Sequence, residues 1–193
     1  TVRAYTKVGS KIIWGDYDIN GLSAKSQRQF SEAYLTSGLH YNSSFDFTGD
    51  GINDKFYTTY TMSGKSNILT VYINDKKSGT IKVTDAAGGK FRMELCTLSN
   101  NKYVFLSIRY ESNDNDAEYM HKLYKCKTGK MSSILDVHKA LKIGSMQSST
   151  IEKVYSNGIA FHAGGIMSHG IRSERWTYVM KNGKLTFSKK RKI

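Results

Sequence analysis

Proline is absent from the 193 residues of this chain, although an average composition would supply about ten. Its absence excludes proline-rich linkers and polyproline ligands. No apolar stretch approaches the ~18 residues that a membrane-spanning helix needs, so we expect no transmembrane segment. The composition is otherwise that of a folded protein, with 39% hydrophobic and 12% aromatic residues, and the length fits one globular domain.

Acidic residues are few. The chain has 16 Asp and Glu against 29 Lys and Arg, which gives a formal net charge of +13. This excess favours polyanionic partners such as nucleic acid, an acidic cell-wall polymer or an anionic membrane face. The same lysines could instead keep exposed strands from pairing with other chains. The basic run Ser188–Lys192 is open to two interpretations as well, a phosphate contact or a solvated chain end.

Cysteine is also scarce, with only Cys96 and Cys126. They fall on the first and third strands of a predicted three-strand meander. Strands once removed lie roughly 9.6 Å apart, whereas a disulfide needs Cα atoms within about 7 Å. We therefore expect two buried free thiols.

The first 53 residues differ in pattern from the rest. A strand is predicted over Ala4–Trp14, and the spacing of Phe30, Tyr34 and Leu35 predicts one short helix within Leu22–Leu39. This segment leads into an acidic loop that ends near residue 53.

From Asp54 onward the pattern has a period of two, in short segments rich in β-branched and aromatic residues and separated by turn formers. The sequence Tyr124–Met131 aligns without a gap on Tyr178–Leu185, and a looser copy begins at Tyr72. Glycines 79, 129 and 183 then suggest a repeat of about four strands. We predict three units, about 54–99, 100–149 and 150–193, within one globular domain, each with its lysine-glycine hairpin as the outer pair of strands. The segment Ile134–Leu141 is also compatible with a helical turn.

The predicted fold is mainly β, with stacked or propeller-like antiparallel four-strand units and one short N-terminal helix. Three units are too few to close a propeller ring, which has about four to eight blades. The N-terminal region could complete the ring, the protein could continue beyond this sequence, or the sheets could stack openly.

The segment from Asp46 to Asp54 places oxygen-bearing residues at positions 1, 3, 5 and 9 and a glycine at position 6. Calcium prefers six to eight oxygen ligands, and this alternation can wrap them around one point. The predicted Ca²⁺ ligands are the side chains of Asp46, Thr48, Asp50 and Asp54 and the backbone carbonyl of Ile52. Position 12 is Tyr57, not the bidentate Glu of an EF-hand, so we expect modest affinity and a structural role.

The sequence Asp-Phe-x-Gly-Asp-Gly-x-x-Asp-Lys, followed directly by a strand, resembles the calcium loop of FG-GAP/VCBS-type repeat proteins. The match covers about ten residues strongly and the region 54–193 only in the style of its repeats. The resemblance implies a bacterial extracellular or cell-surface module with propeller-like architecture, stabilised by calcium and specialised for binding or adhesion. It implies no enzymatic activity in the repeats.

A weaker acidic loop contains Asp16, Asp18 and Asn20, but its later ligand positions are Ala24 and Gln27. Either a second ion or a turn before the predicted helix, capped by Ser23, would account for it.

A dense cluster between His162 and His169 includes Ser168 and several glycines, which is the basis of an alternative hypothesis of a hydrolase. Its spacing matches no catalytic motif, and the simpler interpretation is a hairpin loop. His40, His121 and His138 are isolated in the sequence. The 13 tyrosines could stack on nucleic-acid bases and the basic residues could contact its phosphates, but no nucleic-acid signature is present, so we do not expect this partner. We expect a non-enzymatic, exported domain whose partner is an anionic cell-wall polymer, a glycan or a protein.

Overall fold

The computed structural model describes residues 5–8, 11–14, 27–33, 38–42, 45–84, 89–99, 102–112, 117–168 and 170–193, and it describes the side chains from residue 45 onward. These residues form fifteen strands and one short helix. In chain order they are β1 (Tyr5–Val8), β2 (Lys11–Trp14), β3 (Gln27–Ala33), β4 (Gly38–Asn42), β5 (Phe56–Ser63), β6 (Ser66–Ile73), β7 (Lys76–Thr84), β8 (Gly89–Leu98), β9 (Tyr103–Ser112), β10 (Glu118–Lys127), β11 (Lys130–Asp136), α1 (Val137–Ala140), β12 (Gln147–Tyr155), β13 (Gly158–Met167), β14 (Gly170–Lys181) and β15 (Lys184–Lys192).

Three antiparallel sheets follow one another along the chain, beside a small hairpin of β1 and β2. The first sheet has the order β4-β5-β6-β7, and the last sheet has the order β12-β13-β14-β15. The central sheet has the order β11-β10-β9-β8-β3, so β3 pairs with β8 at the edge opposite β11. The predicted mainly β fold of stacked antiparallel four-strand units is therefore confirmed.

Strand alternation places one side of each sheet in a core. In β6, Leu69, Val71 and Ile73 are buried, while the intervening residues are only partly covered. Burial of each side chain of this size stabilises the fold by roughly 2 kcal/mol. A shift of one residue in strand pairing would expose these side chains, so the alternation determines the pairing register.

The central sheet is buried on both faces. Phe91, Met93 and Leu95 of β8 pack in a core shared with the first sheet. Cys96 and Leu98 of the same strand pack in a second core shared with the last sheet. The three sheets therefore form a stack whose middle layer contributes to two cores.

Both cysteines are buried thiols outside any disulfide, as expected, and they lie on β8 and β10 with β9 between them. Cys126 belongs to the first core and Cys96 to the second. Burial raises the pKa of Cys126 to about 12, with a further contribution from Asp54, so this thiol stays protonated at neutral pH.

The outer hairpin of each sheet turns at an equivalent place. Two-residue turns end at Asp75, Gly129 and Gly183, and each follows the previous one by 54 residues. The structural repeat is thus more regular than the alignment through Gly79 suggests, because Asp75 occupies the glycine position of the first copy. Its φ of 63° is a left-handed conformation that Asp and Asn tolerate better than most residues.

The predicted helix within Leu22–Leu39 is wrong. Gln27–Ala33 is a strand that pairs antiparallel with β8, and β4 begins at Gly38. An isolated helix of this length is marginal, whereas pairing with β8 satisfies a row of backbone groups at the edge of the central sheet. The strand predicted over Ala4–Trp14 is the hairpin of β1 and β2. The helical turn near Ile134–Leu141 is present as α1, which Asp136 caps by accepting from the Lys139 N–H at 3.0 Å.

The sheets are offset from the predicted units by one strand. β8 belongs to the central sheet, whereas the unit 54–99 groups it with β5 to β7. The fourth strand of the first sheet is instead β4, which precedes residue 54 and pairs with β5. The last sheet, Gln147–Lys192, nearly coincides with the unit 150–193.

Candidate functional site

The loop before β5 is folded by its own carboxylates. Asp46 accepts hydrogen bonds from the backbone N–H groups of Gly49, Asp50 and Gly51, and the Thr48 hydroxyl lies 3.4 Å from the same carboxylate. Gly49 and Gly51 have φ of 77° and 89°, which L-residues rarely adopt. The loop therefore curls around the Asp46 side chain.

Asp54 fastens this loop to the sheets. Its buried carboxylate accepts from the N–H groups of Phe47 and Thr48 at 2.7 and 2.8 Å, and from the Asn74 side chain at 2.7 Å. Asn74 also donates to the Thr128 hydroxyl at 3.1 Å. Asp54 thus connects the loop to the outer turns of the first and central sheets.

The predicted calcium ligands take part in hydrogen bonds within the loop. Asp46 and Asp54 face backbone and amide donors, Asp50 accepts from the Ile52 N–H at 2.9 Å, and Ile52 is exposed. No group of three or more His, Cys, Asp or Glu side chains within the described ranges could hold a metal ion. Calcium binding at Asp46, Thr48, Asp50, Ile52 and Asp54 stays a prediction, and the weaker Asp16–Asn20 loop lies outside the described residues.

The most basic surface of the described chain is β15, the edge strand of the last sheet. The run that ends at Lys192 is not a loose chain end but a strand paired with β14, and its lysines are exposed. Lys184, Lys189, Arg191 and Lys192 form no ion pair with any described residue. Lys189 and Arg191 share one face of the strand, since alternate residues point the same way.

Aromatic side chains accompany these charges on the other face. The Lys190 ammonium lies 4.9 Å from the centre of the Trp176 ring, and Trp176 and Phe187 have their ring centres 5.6 Å apart. Phe187 also contacts Tyr178 edge to face. The edge of the last sheet therefore offers cations on both faces and an aromatic cluster on one.

The carboxylate of Glu174, 3.1 Å from the Lys190 ammonium, is paired with several donors. Burial acts to raise the pKa of Glu174, but hydrogen bonds from Arg172, Lys190 and Trp176 outweigh it and hold the pKa below its ordinary value. Glu174 is consequently ionised at neutral pH, and its charge is shared among these donors.

A buried polar cluster joins the central and last sheets. It contains Ser107, Glu118, His121, His138 and Ser149. Glu118 accepts from the Ser149 N–H and hydroxyl at 2.8 Å and lies 3.2 Å from His138 Nδ1. His121 Nδ1 lies 2.7 Å from Ser149 Oγ, and its Nε2 lies 2.9 Å from Ser107 Oγ.

The direction of these hydrogen bonds follows from Glu118. A carboxylate only accepts, so the Ser149 hydroxyl donates to it and can accept only from His121 Nδ1. Burial, followed by the charges of Arg109 and His138, holds the pKa of His121 well below its ordinary value, which leaves the imidazole neutral. His121 Nε2 then accepts the Ser107 proton.

A serine that donates to a histidine is the arrangement of a nucleophile and its general base. Ser107 and His121 adjoin a small cavity that Arg109 and Ile151 also line, but they are only 3% and 2% exposed. Because a substrate must reach Ser107 Oγ, we assign this cluster to holding the two sheets together. Sequence reasoning missed it, since its members are far apart in the chain and Ser149 lies 31 residues after Glu118.

The His162–His169 cluster is not assembled around one site in its described part. His162 lies within β13, and its Nε2 is 3.1 Å from Ser173 Oγ. Ser168 lies six residues further along, about 20 Å at the rise of a strand. His169 lies outside the described residues.

No helix in the described part of the chain combines the length and the apolar character that crossing a bilayer requires. Comparison with known proteins finds no family model, curated protein or solved structure that matches this chain.

Proposed function

We propose that this protein is a non-enzymatic module, exported or displayed at a cell surface, that binds polyanions through the edge of its last sheet. The proposal depends on one observation. Lys184, Lys189, Arg191 and Lys192 of β15 are exposed and form no ion pair with any described residue.

A row of cations on a sheet edge suits a flexible polymer of phosphates or carboxylates. Successive lysines on one face lie about 7 Å apart, and each can contact a separate anionic group. Arg191 can contact a phosphate or carboxylate with two hydrogen bonds. The energy comes mainly from release of counterions from the polymer, so it depends strongly on salt.

An anionic cell-wall polymer fits this chemistry best among the expected partners. Trp176 and Phe187 adjoin the cations and provide aromatic surface for sugar units. Nucleic acid also presents phosphates, and the experiment below distinguishes it from a wall polymer.

Titration of the protein with inorganic polyphosphate across a salt series tests the proposal. We expect binding whose logarithm falls linearly with the logarithm of salt concentration. The double variant Lys189→Gln/Arg191→Gln should weaken binding by roughly tenfold to thirtyfold and reduce the slope by roughly 1.4.

The matched control is Lys65→Gln/Lys82→Gln, which removes the same charge from exposed positions of the first sheet. Equal loss in both variants would show that only net charge matters and would overturn the assignment to β15. Parallel titrations with a teichoic-type polymer and random-sequence DNA distinguish a wall polymer from nucleic acid.

The calcium ion expected in the 45–54 loop is a separate proposal. It is supported by the spacing of Asp46, Asp50 and Asp54 and by the left-handed backbone of Gly51. Calcium would share the Asp54 carboxylate with the Phe47 and Thr48 N–H groups and the Asn74 side chain, from which it already accepts.

A further inference from the structure

Half of the large apolar side chains that are exposed in the described residues lie at one end of the last sheet. They are Met146, Ile166, Met167, Ile171 and Ile193, and five others are scattered elsewhere. Ile171 is 86% exposed, and Ile193 and Ile166 are 59% and 57% exposed. Exposed apolar groups that cluster in this way mark contact surfaces.

The hairpin between β13 and β14 forms the centre of this end, which we call the apolar tip. Ile166 and Ile171 are direct partners across the two strands, and Met167 follows Ile166 on the opposite face. The Met146 carbonyl accepts from the Ile166 N–H at 3.0 Å, which brings Met146 beside the hairpin. The tip is therefore apolar on both faces.

The apolar tip is held firmly. The Arg172 guanidinium donates to the carbonyls of Leu141 and Lys142 and to the Gln147 side chain, and it pairs with Glu174. These contacts fix the base of the hairpin against the segment that carries Met146. The exposed isoleucines thus project from a rigid support.

The basic strand ends at the same place. The Ile193 N–H donates to the Ser173 carbonyl at 3.0 Å, and Lys192 lies opposite Glu174. At about 3.4 Å per residue, Lys192 is roughly 10 Å back from the level of Ile171. The exposed run Lys189–Lys192, which we call the cationic collar, therefore follows one edge of the sheet from about 10 Å to about 20 Å behind Ile171.

We infer that this end of the last sheet docks on an anionic lipid bilayer, with the apolar tip in the interfacial region and the cationic collar against the headgroups. This inference rests on the proposed binding of polyanions by β15, and it adds anionic lipid to the wall polymer as a partner of that strand. Insertion of a few aliphatic groups adds to the attraction of basic residues for anionic lipid. The net charge of +13 acts in the same direction.

A bilayer fits this end better than a protein partner. A standard protein interface buries about 800 Å² on each side, whereas five partly exposed side chains supply on the order of a few hundred Å². A protruding hairpin end also requires a soft surface, because it presents no flat or concave area for a complementary partner. Lipid headgroups and acyl chains provide such a surface.

Flotation with vesicles of phosphatidylglycerol and phosphatidylcholine tests the inference, with vesicles of phosphatidylcholine alone for comparison. We expect binding to the anionic vesicles only. Ile171→Asp should reduce it by at least about tenfold, because it places a carboxylate in the interfacial region. Met62→Asp is the matched control, since Met62 is 66% exposed on the first sheet and the charge change is the same. It should bind as the unchanged protein does.

Polyphosphate binding separates this inference from the proposed function. Ile171→Asp should leave polyphosphate affinity within about twofold, whereas Lys189→Gln/Arg191→Gln should weaken both interactions, roughly fivefold per charge for vesicles. If the unchanged protein binds polyphosphate but not vesicles, the bilayer inference is overturned and the proposed function stands. If it binds neither, both the inference and the proposed function are overturned. Equal vesicle binding by Ile171→Asp, or a dimer that this change dissociates in sedimentation, would also overturn the inference.

Discussion

Asp54 is the residue on which the acidic loop and two outer turns depend. Replacing it with Ala leaves the N–H groups of Phe47 and Thr48 without their acceptor, and Asn74 loses its link to the loop. We expect Asp54→Ala to lower the free energy of unfolding by about 3 kcal/mol, because unsatisfied buried donors cost 1–3 kcal/mol each. Urea unfolding measures this loss.

Asp46→Ala is the comparison for this variant. Asp46 accepts three backbone hydrogen bonds and Asp54 accepts two, but the donors to Asp46 are exposed and can bind water instead. A loss of about 1 kcal/mol is expected there. Equal losses for the two variants would contradict the role of Asp54 as a buried anchor.

His121 makes stability depend on pH. Its pKa in the folded protein lies well below that of an unfolded histidine, chiefly because it is buried. As the pH falls below about 6.5, this histidine is therefore protonated in the unfolded chain but stays neutral in the folded protein. The free energy of unfolding then decreases by up to about 1.4 kcal/mol per pH unit. Above pH 7 this contribution is constant.

Urea unfolding at pH 7.5 and pH 5.5 measures this dependence. His121→Gln removes the titrating group and should flatten the loss relative to the unchanged protein, although the variant is less stable at both values. His138→Gln is the control, because His138 also faces Glu118 but is partly exposed. An undiminished acid loss in His121→Gln would show that another group is responsible.

The acidic loop, as an element, is the place where the calcium prediction is tested. A calcium concentration 100 times its Kd would raise the free energy of unfolding by about 2.7 kcal/mol, since the ion binds only the folded loop. Thermal melts with calcium and with a chelator measure this. Asp50→Asn keeps an oxygen for the Ile52 N–H but removes a charge, so it should abolish the gain. Identical melts of the unchanged protein in the two conditions would exclude a calcium site of this kind.

Strands and turns were predictable because their determinants are local. Alternation of apolar residues marks β6, and Asn182-Gly183 marks the turn before β15. Strand β3 was not predictable in this way, because Gln27–Ala33 becomes a strand only when β8 provides an edge for it to pair with. Short segments of this kind take the structure that their neighbours impose.

The candidate sites likewise contain some features that the sequence shows and others that depend on how the sheets pair and pack. The basic run near Lys192 is visible in the sequence, but its conversion into an edge strand depends on pairing with β14. The convergence of Ser149, His121 and Glu118 requires the packing of two sheets, and no sequence motif reports it. The spacing of the acidic loop predicts ligands, whereas the structure assigns Asp46 and Asp54 to backbone donors.

At the scale of the whole molecule, the central sheet should make unfolding cooperative. Its two faces belong to different cores, so neither outer sheet can lose its packing without exposing a face of the central one. In stacked repeats, stability is shared between each unit and its interfaces with neighbours. The two cysteines report on the cores separately, because Cys126 lies in the first and Cys96 in the second.

Pulsed alkylation with mass spectrometry tests this coupling. Leu95→Ala creates a cavity in the first core alone and should cost about 3 kcal/mol. If the stack opens as one unit, labelling of Cys126 and Cys96 rises by the same factor, roughly a hundredfold. Phe161→Ala, in the second core, should give the same joint increase. A rise confined to the cysteine of the altered core would show that the sheets open independently, because the interface would then be weaker than the sheets it joins.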